Sequence, residues 1–211
     1  MLIAHLLNDQ TLATWTISEN ADVNLTFTTQ FMVLPISFVA LGLMYLINKD
    51  SFKEYFRFPV RSLTHDETWS AYGPAVAIGF TMGTAMLMSF NVVREHGEIN
   101  GKFWELLPLV LLFSATNAWS EEIFSRFVIV AGLSGKLAGG TICLISAIIF
   151  GAGHIFGTPS GLFGMLASGA LGWFLAKSVV DTKAMTWALL IHFLQDVMIF
   201  GAGAMIIAGQ H

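Results

Sequence analysis

Three short runs of this chain combine acids, bases and spacing in ways that suit chemistry: Glu121-Glu122-Ile-Phe-Ser-Arg126, Phe150-Gly-Ala-Gly-His154 and His192-Phe-Leu-Gln-Asp196. Glu122 and Arg126 stand at i and i+4 with the acid first, the favourable order for an ion pair on a helix. Glu121 is turned about 100° from Glu122 and faces a different partner. His192 and Asp196 project from one helix face, as do Phe150 and His154, while Gly151 and Gly153 open that helix to close approach. A carboxylate such as Glu121 is a base able to deprotonate water, an effect typically worth ~10²–10⁴ in rate. A developing oxyanion needs fixed donors, which imidazoles such as those of this set can supply. Two histidines and carboxylates also suit catalytic Zn²⁺ with an open position, so Glu121, His154, His192 and Asp196 form an alternative metal-ligand set.

The surroundings make these residues costly. Of 211 residues, 55% are hydrophobic and 11% charged, and the mean hydropathy is +0.69. Soluble domains carry about a quarter charged residues, so lipid is the solvent this composition expects. Six segments are long and apolar enough to cross a bilayer: about Thr28–Asn48, Trp69–Val93, Phe103–Leu133, Leu137–Phe156, Leu162–Val180 and Ala184–Ala208. The fold class read from them is an all-α polytopic membrane bundle of about six transmembrane helices. Residues 1–27 read as a polar surface tail, 28–100 as two accessory spans and 101–211 as a four-helix core. Trp69, Trp104 and Trp187 near segment starts suit the interface. Residues 1–48 hold no Lys or Arg, which argues against a cleavable signal peptide. The single cysteine, Cys143, has no intramolecular disulfide partner. A net charge of −4 without a basic run gives no sign of nucleic-acid binding.

With alternating crossings, one side holds Lys49, Lys53, Arg57, Arg61, Lys136, Lys177 and Lys183, against Arg94 and Lys102 on the other. That bias puts the first side in the cytoplasm and both termini outside it. Counted from the basic turns at ~1.5 Å per residue, Glu122 lies about 21 Å deep, Glu121 about 22 Å, His154 about 25 Å, Asp196 about 19 Å and His192 about 13 Å. Ionisable groups near a bilayer centre cost at least ~2.5–3.5 kcal/mol each, and here three helices bring them to overlapping depths.

In this order on separate helices, the three motifs resemble those of the CPBP family, the Abi or CAAX-protease-like intramembrane peptidases, over about residues 105–207. The resemblance implies a water-activating Glu121 partnered by His154. It implies that His192 and the side chain at 196 bind and polarise the scissile carbonyl, with Glu122 and Arg126 as the supporting pair. Two departures stand out. The family often has Asn where Asp196 stands, and Gly commonly follows the arginine, where this chain has Phe127. An ionised Asp196 is a poor donor, so either His192 takes the oxyanion role alone or Asp196 orients it. The family has been read both as metal-dependent and as a glutamate-type protease, and the choice stays open at this level, with zinc as the candidate cofactor. Prenylated tails belong to the eukaryotic branch; the compactness of this chain resembles the bacterial inner-membrane members, so prenyl-cysteine specificity is not carried over. The partners expected are membrane lipid, a peptide segment near the membrane, and a membrane complex if the chain is a non-catalytic subunit or immunity scaffold of that fold.

Plainer readings compete for each motif. The acids and Arg126 would serve as an interhelical ion network, although one arginine neutralises one of two acids. His192 and Asp196 would serve as a helix–helix hydrogen bond. A proton-coupled carrier also uses buried Glu and His, but six spans without repeat symmetry fit carrier designs poorly. Gly164, Ser168 and Gly172, spaced by four, read as a close-packing stripe.

Overall fold

The computed structural model describes residues 21–56 and 67–210. The expected N-terminal tail (1–27) lies outside them up to residue 20, as do Arg57 and Arg61. Among the described residues, seven α-helices and one π-helix run in order: α1 Ala21–Ile47, α2 Lys49–Tyr55, α3 Glu67–Arg94, α4 Gly101–Glu122, the π-helix Ile123–Ala131, α5 Gly139–Gly153, α6 Gly161–Thr182 and α7 Thr186–Gly209. No strand occurs among the described residues. The chain is an all-helical membrane bundle. Four stretches are single helices long and apolar enough to span: Val23–Ile47, Trp69–Arg94, Gly161–Thr182 and Thr186–Gly209.

The other two expected spans differ in form. The third is one continuous rod divided into α4 and the π-helix. The fourth is the 15-residue α5, about 22 Å long at 1.5 Å per residue. Helix α1 starts seven residues before the expected first span. There, Thr28 and Thr29 hydroxyls donate to the carbonyls of Asn24 and Leu25 at 2.8 and 2.9 Å, so these polar side chains sit within the helix without needing water.

Two antiparallel pairs build the core. In the first, α4 runs against α7. Asn100 caps α4 by accepting from the Lys102 and Phe103 amides, and its own amide donates to the Ala208 carbonyl at 3.0 Å. Further along, Phe113 meets Phe200 with ring centroids 6.0 Å apart. In the second, α5 packs along α6. A Cβ added at Gly151 would stand 2.6 Å from the Met165 carbonyl oxygen, and one at Gly172 would touch the Phe150 ring at 3.0 Å. The small-residue stripe of α6 thus does allow close packing at Gly172. Helix α3 lies against α7, where Gly73 makes room for the Trp187 indole.

The tryptophans split. Trp104 is exposed, whereas Trp69 and Trp187 pack into the protein. The Trp69 indole is drawn inward by its Nε1 hydrogen bond to Asp181 Oδ2 at 2.9 Å, beside the Lys177–Asp181 pair.

One end of the bundle collects the basic turns. Lys183 Nζ donates to Tyr55 Oη at 3.2 Å and to Ser134 Oγ at 3.0 Å, so the connections after α1, the π-helix and α6 meet there. The opposite end joins the 95–100 loop to α7 through Glu98 N and the Met205 carbonyl.

Candidate active site

The rod of α4 and the π-helix carries the first motif across its joint: Glu121 and Glu122 close the α-helical part, and Arg126 lies one turn into the wider coil. Such π segments occur frequently at functional sites. Antiparallel pairing of α4 with α7 sets Glu122 against His192 and Asn117 against Asp196. The joining of α5 to the rod is made by Ser146, whose hydroxyl donates to the Ser125 carbonyl at 2.6 Å. That contact places the C-terminal end of α5, with Phe150 and His154, over the same carboxylates.

All seven residues singled out by spacing come together. Arg126 Nε lies 3.2 Å from Glu122 Oε2, and both side chains are 0% exposed. The other Glu122 oxygen accepts from His192 Nδ1 at 2.7 Å. Glu122 is therefore held between a guanidinium and an imidazole, with no side-chain exposure. Glu121 is different: its side chain is 22% exposed, and Oε2 is approached by His154 Nε2 at 3.5 Å and by His192 Nε2 at 3.6 Å. These separations exceed a direct hydrogen bond, and Glu121 Oε2 has no hydrogen-bond partner.

Each imidazole is oriented by its far nitrogen. His154, at the end of α5, has Nδ1 2.7 Å from the Phe150 carbonyl, which can only accept, so Nδ1 carries the proton. His192 Nδ1 faces the Glu122 carboxylate in the same manner. In both rings Nε2 is thereby turned toward Glu121. Asp196 Oδ2 stands 3.7 Å from His192 Nε2 and accepts from Asn117 Nδ2 at 3.1 Å. Phe150 is the common wall: its ring lies 4.0 Å from the Arg126 guanidinium carbon, 4.3 Å from the His154 ring and 5.5 Å, edge-on, from His192. Such cation–π packing suits a desolvated arginine.

Three contributors escaped the sequence reading. Asn117 holds Asp196, Ser125 links the Arg126 guanidinium to the Glu121 carbonyl, and Ser146 ties α5 to the rod. Asn117 and Ser125 lie four residues to either side of Glu121, a spacing that marks them on its face; Ser146 carries no such mark.

A cavity of about 290 Å³ opens onto Glu121 and His154, bounded by α1, α4, the π-helix and α5. A larger one, about 740 Å³, lies between α3, α6 and α7, but no acid, histidine or basic side chain lines it. Of these two cavities, the smaller is the one lined by an acid and a histidine, Glu121 and His154. The zinc alternative finds poor support in the donor geometry: no group of three or more His, Cys, Asp or Glu among the described residues is arranged to hold a metal ion. His192 Nδ1 is held by Glu122 and Asp196 Oδ2 by Asn117, contacts that leave His192 Nε2 turned toward Glu121.

Residues 103–198 match the family model described as type II CAAX prenyl endopeptidase Rce1-like. That segment contains all three motifs. No curated protein and no solved structure matches the chain.

Proposed function

We propose, with the Rce1-like character of residues 103–198 as premise, that the chain is an intramembrane endopeptidase working without a metal. One observation carries this reading: two imidazole Nε2 atoms from different helices converge on one unpartnered oxygen of a carboxylate that lines a cavity. Beside it, Glu122 and Arg126 form a fully buried ion pair, whereas Glu121 is partly exposed and lines the cavity.

In the proposed reaction a water held between Glu121 Oε2 and His154 Nε2 gives its proton to Glu121 as its oxygen bonds to the scissile carbonyl carbon. The carbonyl π pair moves to oxygen. His192, protonated with its Nδ1–H on the Glu122 carboxylate, donates from Nε2 to that oxyanion, and Asp196 orients the ring. As the tetrahedral intermediate collapses, the C–N bond breaks and the amine nitrogen takes the proton from Glu121. Arg126 offsets the charge of Glu122, and Phe150 holds Arg126 and both rings in register. The substrate is a peptide segment near or within the membrane. The basic end of the bundle faces the cytoplasm, as the positive-inside bias favours, which leaves both termini outside; a bacterial inner membrane suits this arrangement.

The test uses one purified preparation in nanodiscs, wild type beside Glu121→Gln and His154→Ala, against a fluorogenic peptide panel with and without chelator. The expected outcome is cleavage that survives chelation and is lost in both variants. Stoichiometric zinc with chelator-sensitive cleavage would replace this mechanism by a metal-dependent one. Absence of cleavage, together with Glu121→Ala cells indistinguishable from wild type, would favour a non-catalytic subunit of the same fold.

A further inference from the structure

The cavity beside Glu121 has a polar wall that the hydrolytic chemistry leaves unused. Helix α1 contributes Thr29 and Gln30, and α4 contributes Thr116, Asn117 and Ser120. The Thr116 hydroxyl donates to Gln30 Oε1. The same hydroxyl lies 2.9 Å from the Leu112 carbonyl, and the Gln30 amide keeps its second polar atom for the cavity it lines. Gln30 is nevertheless only 7% exposed. Ser120, one residue before Glu121, is 4% exposed, and its hydroxyl has no partner. Buried polar groups are normally satisfied, so the unpartnered Ser120 hydroxyl, on the same cavity wall as the Gln30 amide, points to a ligand with backbone-like polar groups. Helix α1 lies outside the family-matched segment, so this half of the wall belongs to the chain's own architecture.

The chemistry of the wall identifies what fits it. An acyl chain offers no acceptor to Gln30 or Ser120. A helical peptide has its carbonyls bonded within itself, as any lipid-exposed segment must. An extended peptide has free carbonyls, spaced along a strand, and meets side-chain donors directly. Entry is available from the side, because α1 and α5 both flank the rod without forming a packed interface with each other.

We propose that Gln30 and Ser120 form a hydrogen-bonding subsite that grips the backbone of an extended peptide next to the bond presented to Glu121. The proposal rests on the hydrolytic reading and names the substrate's conformation at that site.

The experiment compares wild type, Gln30→Leu, Ser120→Ala and the exposed control Lys102→Ala on the best-cleaved peptide of the panel. A matched peptide has single amides near the scissile bond replaced by esters, which are weaker acceptors. Losing one hydrogen bond in Gln30→Leu is expected to raise KM about tenfold while kcat stays within about twofold. The ester penalty seen with wild type should vanish in that variant, which a merely structural defect would not produce. In parallel, anisotropy measures binding of the fluorescent peptide to Glu121→Gln protein with and without Gln30→Leu, and the same tenfold loss is expected. Unchanged KM and unchanged binding in both variants would overturn the subsite. If wild type cleaved nothing, the hydrolytic reading would fail on its own, and peptide binding would still decide: dependence on Gln30 supports the subsite, and its absence refutes it.

Discussion

Adjacent carboxylates, Glu121 and Glu122, receive opposite fates from the helices around them. Glu122 is fully buried between Arg126 and His192, whereas Glu121 reaches the cavity. Removing each should therefore fail in a different way. Glu121→Gln keeps the shape and loses the base, so kcat is expected to fall by ~10²–10⁴ with thermal unfolding nearly unchanged. Arg126→Met leaves Glu122 as a buried charge without its cation, a defect that typically costs ~3–5 kcal/mol. Its signature is a lowered unfolding midpoint in the same detergent, before any assay of cleavage. Equal loss of stability in both variants would remove the distinction between the two acids. At this scale the sequence was highly legible, because helical spacing pairs Glu122 with Arg126 and turns Glu121 away. Ser146 was illegible: its partner is a backbone carbonyl on another helix, and a serine in an apolar run announces nothing of that kind.

At the scale of elements, the placement of Phe150 and His154 depends on how closely α5 can lie on α6. Gly151 meets the Met165 carbonyl, so Gly151→Ala forces the helices apart or bends one of them. Overpacking of this kind costs ~1–3 kcal/mol, and here it also lifts His154 from Glu121. The expected result is lost activity together with a lower unfolding midpoint. Gly42→Ala on α1 is the matching control, since an added Cβ meets nothing within 4 Å there. Its effect should stay within about 1 kcal/mol, the range of helix propensity. Comparable destabilisation by both would indicate that backbone propensity, and not close packing, governs these glycines. Hydropathy revealed the apolar spans because burial in lipid and burial in protein demand the same residues. That equivalence also hid the inward turn of Trp69 and Trp187, since an indole near a segment end suits either environment. The π-helix left no mark either: Ile123–Ala131 reads as an ordinary apolar continuation of α4. Its neighbours supply an aromatic clamp in which Phe127, the residue that departs from the family pattern, packs against Phe52, Tyr55 and Phe56 of the α2 region.

For the whole molecule, the alternation of crossings inferred from Lys and Arg agrees with the ends at which the connections meet. Tyr55, Ser134 and Lys183 come together at one end, and the 95–100 loop meets the end of α7 at the other. Charge counting alone could say which turns share a side; the contacts give that grouping a physical basis. Which side is cytoplasmic is a property of insertion, and single-cysteine labelling reads it directly. The only cysteine, Cys143, is buried in α5, so Cys143→Ala supplies a silent background. In that background, Lys49→Cys and Lys136→Cys test the basic end, and Arg94→Cys and Lys102→Cys test the other. A membrane-impermeant maleimide added to intact cells should modify positions 94 and 102 and spare 49 and 136 until the membrane is opened. The reverse pattern would turn the molecule over, sending substrates toward the cavity from the opposite leaflet while leaving the chemistry at Glu121 unchanged. Labelling of one position from each end would separate turns that the helix contacts join, and would refute the bundle's topology itself.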